Sequence, residues 1–310
     1  MLRSLALLLT LGAFSTPALA TPARIAALSA NPGFFDDVDF LFYPSELDGM
    51  GENIWMSYGG TMDSGFSWEK ERTNSIWVTR DDPFSQGPWR LSYTSAGEAS
   101  GYQLRSTWQT GFFTAGGSWG KGYATDGGAL AVGGNLMLVG DATDSPDFGV
   151  EAFVASRKIE PKKLTAWGAQ AGYLNDVIGL SGYLTLGPRW EITDQITASA
   201  GFGPELAISV VDSDIGLTAS VPHAQLGVEY AVRPWIALRG SASARWQALY
   251  IADDLSWGTS ASGMMGVGLR HTWADFDFAV NPLFAMNGPF FLTGSPTAPF
   301  AAVASARFYL

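Results

Sequence analysis

Through the second half of the chain apolar residues recur at every second position, and that period confines these stretches to strands with one apolar face. Ile178, Leu180, Leu184, Leu186, Trp190 and Ile192 fall on one side, and Gly179, Ser181, Tyr183, Thr185, Gly187, Arg189 and Glu191 on the other. After Thr193-Asp194 the pattern resumes. Ile196, Ala198, Ala200, Phe202, Leu206 and Ile208 alternate with Thr197, Ser199, Gly201, Gly203, Glu205 and Ser209. Two alternating runs joined by a short polar turn make a hairpin. The unit returns from Leu226 to Val232, turns at Arg233-Pro234, and continues from Ile236 to Ala248. It recurs again from Met265 to Leu269 and from Phe276 to Val280.

An apolar strand face needs apolar surroundings. A second sheet supplies them in a soluble sandwich, and lipid supplies them around a closed barrel. Composition favours the barrel, because the chain is 47% hydrophobic and 13% aromatic but only 15% charged. A soluble domain with that many aromatics brings more charge to its surface. After residue 20 no apolar run is long enough for a transmembrane helix. The polar strand faces are rich in glycine and serine, as a crowded barrel interior requires. Trp190, Trp235 and Trp273 each sit beside a tight turn, and a row of indoles at one level is the aromatic belt of a membrane interface. The expected fold is therefore all-β, a transmembrane antiparallel β-barrel whose first partner is lipid.

The two chain ends fit this reading. Met1-Leu2-Arg3-Ser4 is a basic start, Leu5 to Phe14 is apolar, and Ala18-Leu19-Ala20 is a small-residue cleavage site. That is the layout of a secretory signal peptide over 1–20. The segment 21–51 then precedes a barrel over 52–310. At the other end Ala304, Ala306, Phe308 and Leu310 alternate with Ser305, Arg307 and Tyr309. This resembles the terminal strand of bacterial outer-membrane barrels, which the barrel-assembly machinery recognises, although that strand usually ends in Phe or Trp. The expected location is the outer membrane of a Gram-negative bacterium. A net charge of −11 argues against a nucleic-acid partner, whose phosphates call for a basic face. With no cysteine, disulfides and cysteine-bound metals are excluded.

Ten strands are expected between Ala129 and Leu310, and about four between Asn53 and Tyr123, where alternation is poorer. Single-chain bacterial barrels have even strand numbers, so fourteen is expected, with twelve as the alternative. With the C-terminus on the periplasmic side, the turns at Thr193, Arg233 and Ala274 lie there and are short. The connections around Asp212, Asp253 and Asn287 lie outside and are expected to be longer.

The segment before the barrel does not alternate. It carries Asp36-Asp37, then Phe40-Leu41-Phe42, then Tyr43-Pro44-Ser45-Glu46-Leu47. This resembles the Asp-Asp, apolar stretch and Asn-Pro-Ala-x-Leu element of the long-chain fatty acid transporter family and its PorV-like relatives, with the Asn missing here. The resemblance implies a plug in or beneath the lumen, built from Asp36, Asp37, Phe40, Phe42, Tyr43 and Pro44, and a small hydrophobic solute as cargo. An aromatic stretch flanked by acids suits a barrel interior better than lipid or water; a first strand or a periplasmic tail is the plainer alternative.

Catalytic patterns are sparse. His223 and His271 lie on separate strands, and no G-x-S-x-G segment occurs. Gly116-Gly117-Ser118-Trp119-Gly120-Lys121-Gly122 lacks P-loop spacing and reads as a strand or turn. Asp212-Ser213-Asp214 lacks the downstream Glu of a calcium loop. No enzyme, cofactor or metal site is therefore expected. Alternation directs Arg189, Glu191, Glu205, Glu229, Arg239, Arg245, Arg270 and Asp277 inward, where they either pair across the wall or line a pore. Two functions follow as expectations: passive transport or binding of a small solute, or a closed structural barrel that acts through a protein partner.

Overall fold

The computed structural model describes residues 27, 28, 32, 34, 42–48, 50–59, 61–81, 88–109, 112–123, 127–140, 147–174, 176–211, 214–251, 254–281 and 302–310. The expected signal peptide, and Asp36, Asp37 and Phe40 of the expected plug, lie outside these residues.

Sixteen strands form one closed antiparallel barrel in which each strand pairs with its sequence neighbours. They are β1 (Asn53–Tyr58), β2 (Thr61–Glu69), β3 (Thr73–Asp81), β4 (Trp89–Gly97), β5 (Ser100–Gln109), β6 (Phe112–Tyr123), β7 (Gly128–Val139) and β8 (Asp147–Glu160). Then follow β9 (Lys163–Leu174), β10 (Val177–Thr193), β11 (Ile196–Val211), β12 (Asp214–Arg233), β13 (Ile236–Ile251), β14 (Asp254–Arg270), β15 (Ala274–Val280) and β16 (Ala302–Tyr309). The ring closes where β1 meets β16, from Asn53 opposite Tyr309 to Tyr58 opposite Ala304. Closure leaves no free sheet edge at the seam, which a strand in lipid requires because no water is present to satisfy its amides.

Sixteen replaces the expected fourteen or twelve. The ten strands after Ala129 are present as β7 to β16. The shortfall lies between Asn53 and Tyr123, which holds six strands rather than four. These strands are short and their faces are mixed. Trp55 and Trp77 turn inward, with ring centroids 5.5 Å apart, while Ser64, Asn74 and Ser106 face outward. Alternation between apolar and polar is therefore weak there, although alternation between inward and outward is intact.

The connections at 194–195, 234–235 and 271–273 lie at one end, where β1 begins and β16 finishes; this is called the terminal end below. The connections around Asp212 and Asp253 lie at the opposite end but are not longer, with two residues each at 212–213 and 252–253, whereas the connection that holds Asn287 is long, spanning 281–301. At the first two the length appears in the strands. β12 spans 20 residues, and a bulge interrupts its pairing between Ser220 and His223. Two residues then oppose one, the inward parity switches from even to odd numbers, and a period-two reading loses the strand's first half. His223 consequently lies in the middle of β12. Gly116 to Gly122 resolves as part of β6.

The outer face is apolar around the ring. Ile54, Phe66, Leu91, Leu104, Leu136, Val150, Ile178, Leu186, Phe202, Leu226, Leu238, Met265 and Phe278 are all exposed there. The inner face is small and polar, with Asn53, Ser57, Asp63, Ser75, Thr94, Gln103, Glu151, Arg157, Ser199 and Arg239 buried.

Candidate functional site

The interior brings polar and charged groups together, and its best-defined cluster spans β12 to β15. Arg239 on β13 donates from Nε to Glu229 Oε2 at 2.6 Å, and from Nη1 to Asp277 Oδ1. Its side chain is only 1% exposed. Glu229 is its direct cross-strand partner, but Asp277 lies two strands away on β15. Gly268 on the intervening β14 makes this reach possible. A Cβ at Gly268 would lie 2.6 Å from Arg239 Nη1 and 2.5 Å from Asp277 Oδ1. Removing the guanidinium would leave two carboxylates without their shared partner.

Higher on the same wall, Glu205 Oε2 lies 3.6 Å from Arg245 Nη1 and 3.8 Å from His223 Nδ1. His223 Nε2 is 3.0 Å from Gln225 Nε2, so the ring nitrogen accepts there. Across β13 and β14 the hydroxyls of Ser243 and Ser262 are 2.6 Å apart. At the terminal end, Arg189 Nη1 donates to Glu191 Oε1 at 2.5 Å, on a more exposed stretch of β10. Arg270 stands in register with Asp275, whose Oδ2 accepts from the Tyr309 hydroxyl at 2.6 Å.

The facing wall carries a second set. Arg105 donates to Ser92 Oγ at 3.2 Å and to Gln103 Oε1 at 2.9 Å, and Asn135 donates to Glu151 Oε2 at 2.9 Å. Against this wall lies the single-turn 3₁₀ helix Pro44–Leu47, with Pro44, Ser45 and Leu47 buried. Its contacts run to β3, β4, β5, β6 and β7. Glycines on the inner faces make room for it. A Cβ at Gly101 would sit 2.3 Å from the Pro44 carbonyl oxygen, and one at Gly120 would sit 2.7 Å from Pro44 Cδ. Arg157 Nη2 donates to Glu46 Oε2 at 2.5 Å, and its guanidinium lies 5.1 Å from the Tyr43 ring centroid. Burial lifts the Tyr43 hydroxyl well above the ordinary phenol range, with Tyr183 of β10 beside it. Farther along the ring Ala27 packs on Ala279, with Met264 and Val303 beside them.

Of the residues singled out from sequence, Glu229, Arg239 and Asp277 come together, as do Glu205 and Arg245. Arg189 and Glu191 pair with each other, and Arg270 stands apart from all of these. Phe42, Tyr43 and Pro44 lie within the ring, Phe42 and Tyr43 beside Ala129, Ala131 and Ala155. Trp190, Trp235 and Trp273 are exposed on the outer face or rim of the terminal end, and Trp273 stacks on Phe308 with centroids 6.2 Å apart. Sequence reasoning did not single out Arg105, Glu151 and Arg157, nor the glycine seat of Gly101 and Gly120. The alternation of Gly116, Ser118, Gly120 and Gly122 on one face was the available signal for that seat. Among the described residues no group of three or more His, Asp or Glu is placed to hold a metal ion.

No family model and no curated protein matches the chain. Solved structures do match it. A bacterial polysaccharide outer-membrane secretin aligns with a TM-score of 0.56 at 8% identity, over 84% of this chain and 98% of that one. CdiB from Acinetobacter baumannii aligns at 0.45 and 10% identity, over 83% of this chain and 59% of that one. A mutant Rh. blastica porin aligns at 0.40 and 10% identity, over 83% and 97%. Likeness at such identity speaks to architecture alone, and the architecture is that of an outer-membrane β-barrel.

Proposed function

We propose that the chain is an outer-membrane channel of a Gram-negative bacterium that passes or binds small polar solutes, its lumen narrowed by the segment before β1. One observation carries this reading: sixteen strands close with an apolar exterior around an interior of hydroxyls, amides and paired charges. Rings of sixteen strands are wide enough to leave an aqueous passage. The interior of β10 to β14 presents Ser, Thr, Gln, Arg and Glu, which suits a hydrated solute better than the hydrophobic one implied by the N-terminal resemblance. The plug part of the reading is supported by the glycine seat under Pro44–Leu47 and by the buried Glu46–Arg157 pair. No covalent step is assigned.

Single-channel conductance of the refolded chain in a planar bilayer tests the proposal. The native chain should show small steps. G120V, which places a branched side chain where Pro44 sits, should raise step size severalfold while β6 stays in the ring. Silence from both forms replaces the channel with a closed structural barrel. Equal steps from both retain the channel and remove the plug.

A further inference from the structure

All five lysines of the chain, Lys70, Lys121, Lys158, Lys162 and Lys163, lie at the terminal end. Four of them cluster where β6, β8 and β9 finish or begin. Lys121 shares its face of β6 with the exposed Trp119 and stands opposite Gly120, which abuts Pro44 inside. Lys158 shares a face with the exposed Val150 and Phe148, whereas its neighbour Arg157 points inward to Glu46. Lys163 shares a face with the exposed Trp167, and the adjacent Leu164 is buried. Three ammonium groups therefore project outward on the terminal side of the exposed indoles of Trp119 and Trp167, with Tyr123 beyond Lys121 at the end of β6 and Lys162 at the hairpin turn.

Glu160 lies 2.8 Å from Lys158 and in register with Lys163, and the exposed Glu98 lies in the β4–β5 turn beside Lys121. The patch keeps an excess of positive charge on a chain whose net charge is −11. At the opposite end the strand ends and turns carry Asp147, Asp176 and Asp254 and no lysine. An outward cation there is Arg80, whose guanidinium lies 5.1 Å from the Trp89 centroid.

Lysine is the side chain suited to this position, because a flexible apolar stem can lie along lipid while the ammonium reaches the headgroup layer. Indoles mark the level of the interface, and cations just beyond them meet headgroup phosphates. We infer that the lysine rim of β6, β8 and β9 is a binding site for anionic phospholipid headgroups in the leaflet at the terminal end. The site fixes that end of the barrel toward the anionic leaflet. The inference rests on the membrane location proposed above, but not on whether the lumen conducts.

The test uses the full chain in nanodiscs holding equal amounts of phosphatidylglycerol and phosphatidylcholine, with retained lipid counted by native mass spectrometry. The native chain should retain phosphatidylglycerol preferentially, by about fivefold for each lysine engaged. K121Q/K158Q/K162Q/K163Q should lose that preference, and the matching arginine variant should keep it. R80Q, at the other end, should leave it unchanged. Raising salt from about 0.05 to 0.5 M should weaken the preference of the native chain. Should the quadruple glutamine variant fail to fold, K121Q and K163Q singly should each lower the preference. No preference in the native chain, or an undiminished one in the glutamine variants, overturns the site. A failure to enter nanodiscs at all overturns the membrane location instead.

Discussion

The barrel has two unequal walls. Strands β10 to β14 run 16 to 20 residues. Strands β1 to β5 run 6 to 10, and β15 and β16 run 7 and 8. A tilted strand crosses the hydrocarbon in about 9 to 11 residues, so the long wall exceeds that need, β2 to β5 barely meet it, and β1, β15 and β16 fall short of it. The excess is plain at the step between them. β14 pairs with β13 along its whole length, but with β15 only from Met265 to Arg270. Long strands thus extend beyond the lipid on one side of the molecule, and the short wall presents no more than the lipid-spanning portion. Closure has to be maintained across that step, and Arg239 is placed to do it.

The largest expected effect follows from this. Arg239 ties Glu229 on the long wall to Asp277 on the short one. Arg239→Ala takes from two carboxylates, each 18% exposed, the guanidinium they share, and breaking a buried pair by removing one partner costs about 3–5 kcal/mol. Urea unfolding in detergent should show a midpoint lowered accordingly. Gly268→Ala should act in the same direction, because its methyl would intrude on the space between Arg239 and Asp277. A loss below about 1 kcal/mol for Arg239→Ala would show that the step is held by backbone pairing alone.

The same contrast explains what could be read in advance. In the long wall, Ile178 to Ile192 and Ile236 to Ala248 repeat the apolar position often enough for the period to stand out, so both facing and hairpin order are legible there. A six-residue strand such as β1 offers three outward positions, Ile54, Met56 and Tyr58, and its inward Trp55 is as apolar as any of them. That is why two strands of the short wall were missed. The convergence of Glu229, Arg239 and Asp277 was not legible, since it depends on which strands are neighbours and on a glycine between them. Glu46 and Arg157 are 111 positions apart in sequence, and no local pattern connects them.

A middle-sized effect decides where the hydrocarbon lies. Leu104 is exposed at the middle of β5 in the short wall, and Leu255 is exposed near the far end of β14 in the long wall. Arginine on the lipid face costs about 2–4 kcal/mol at the bilayer midplane and about 0–1 near the interface. Leu104→Arg should therefore approach the upper figure, and Leu255→Arg should be close to neutral, when folding is measured in vesicles. Equal penalties would mean that lipid reaches the top of β14, and the distinction between the walls would then be one of strand length without membrane consequence.

The smallest expected effect lies within the long wall itself. Arg245 and Arg239 occupy the same face of β13, yet the Arg245 side chain is 30% exposed and its nearest carboxylate contact, to Glu205, is 3.6 Å. A partly hydrated pair at that distance contributes at most about 1 kcal/mol. Arg245→Gln should leave unfolding almost unchanged while removing one positive charge from the middle of the lumen. In a conducting barrel the reversal potential across a salt gradient should then shift toward cation preference, because Glu205 loses its compensating charge. A large loss of stability with no shift in selectivity would place Arg245 with Arg239 among the groups that hold the ring together. The interior of the long wall would then serve closure along its full height, leaving the solute path to the side lined by Arg105, Asn135 and Glu151.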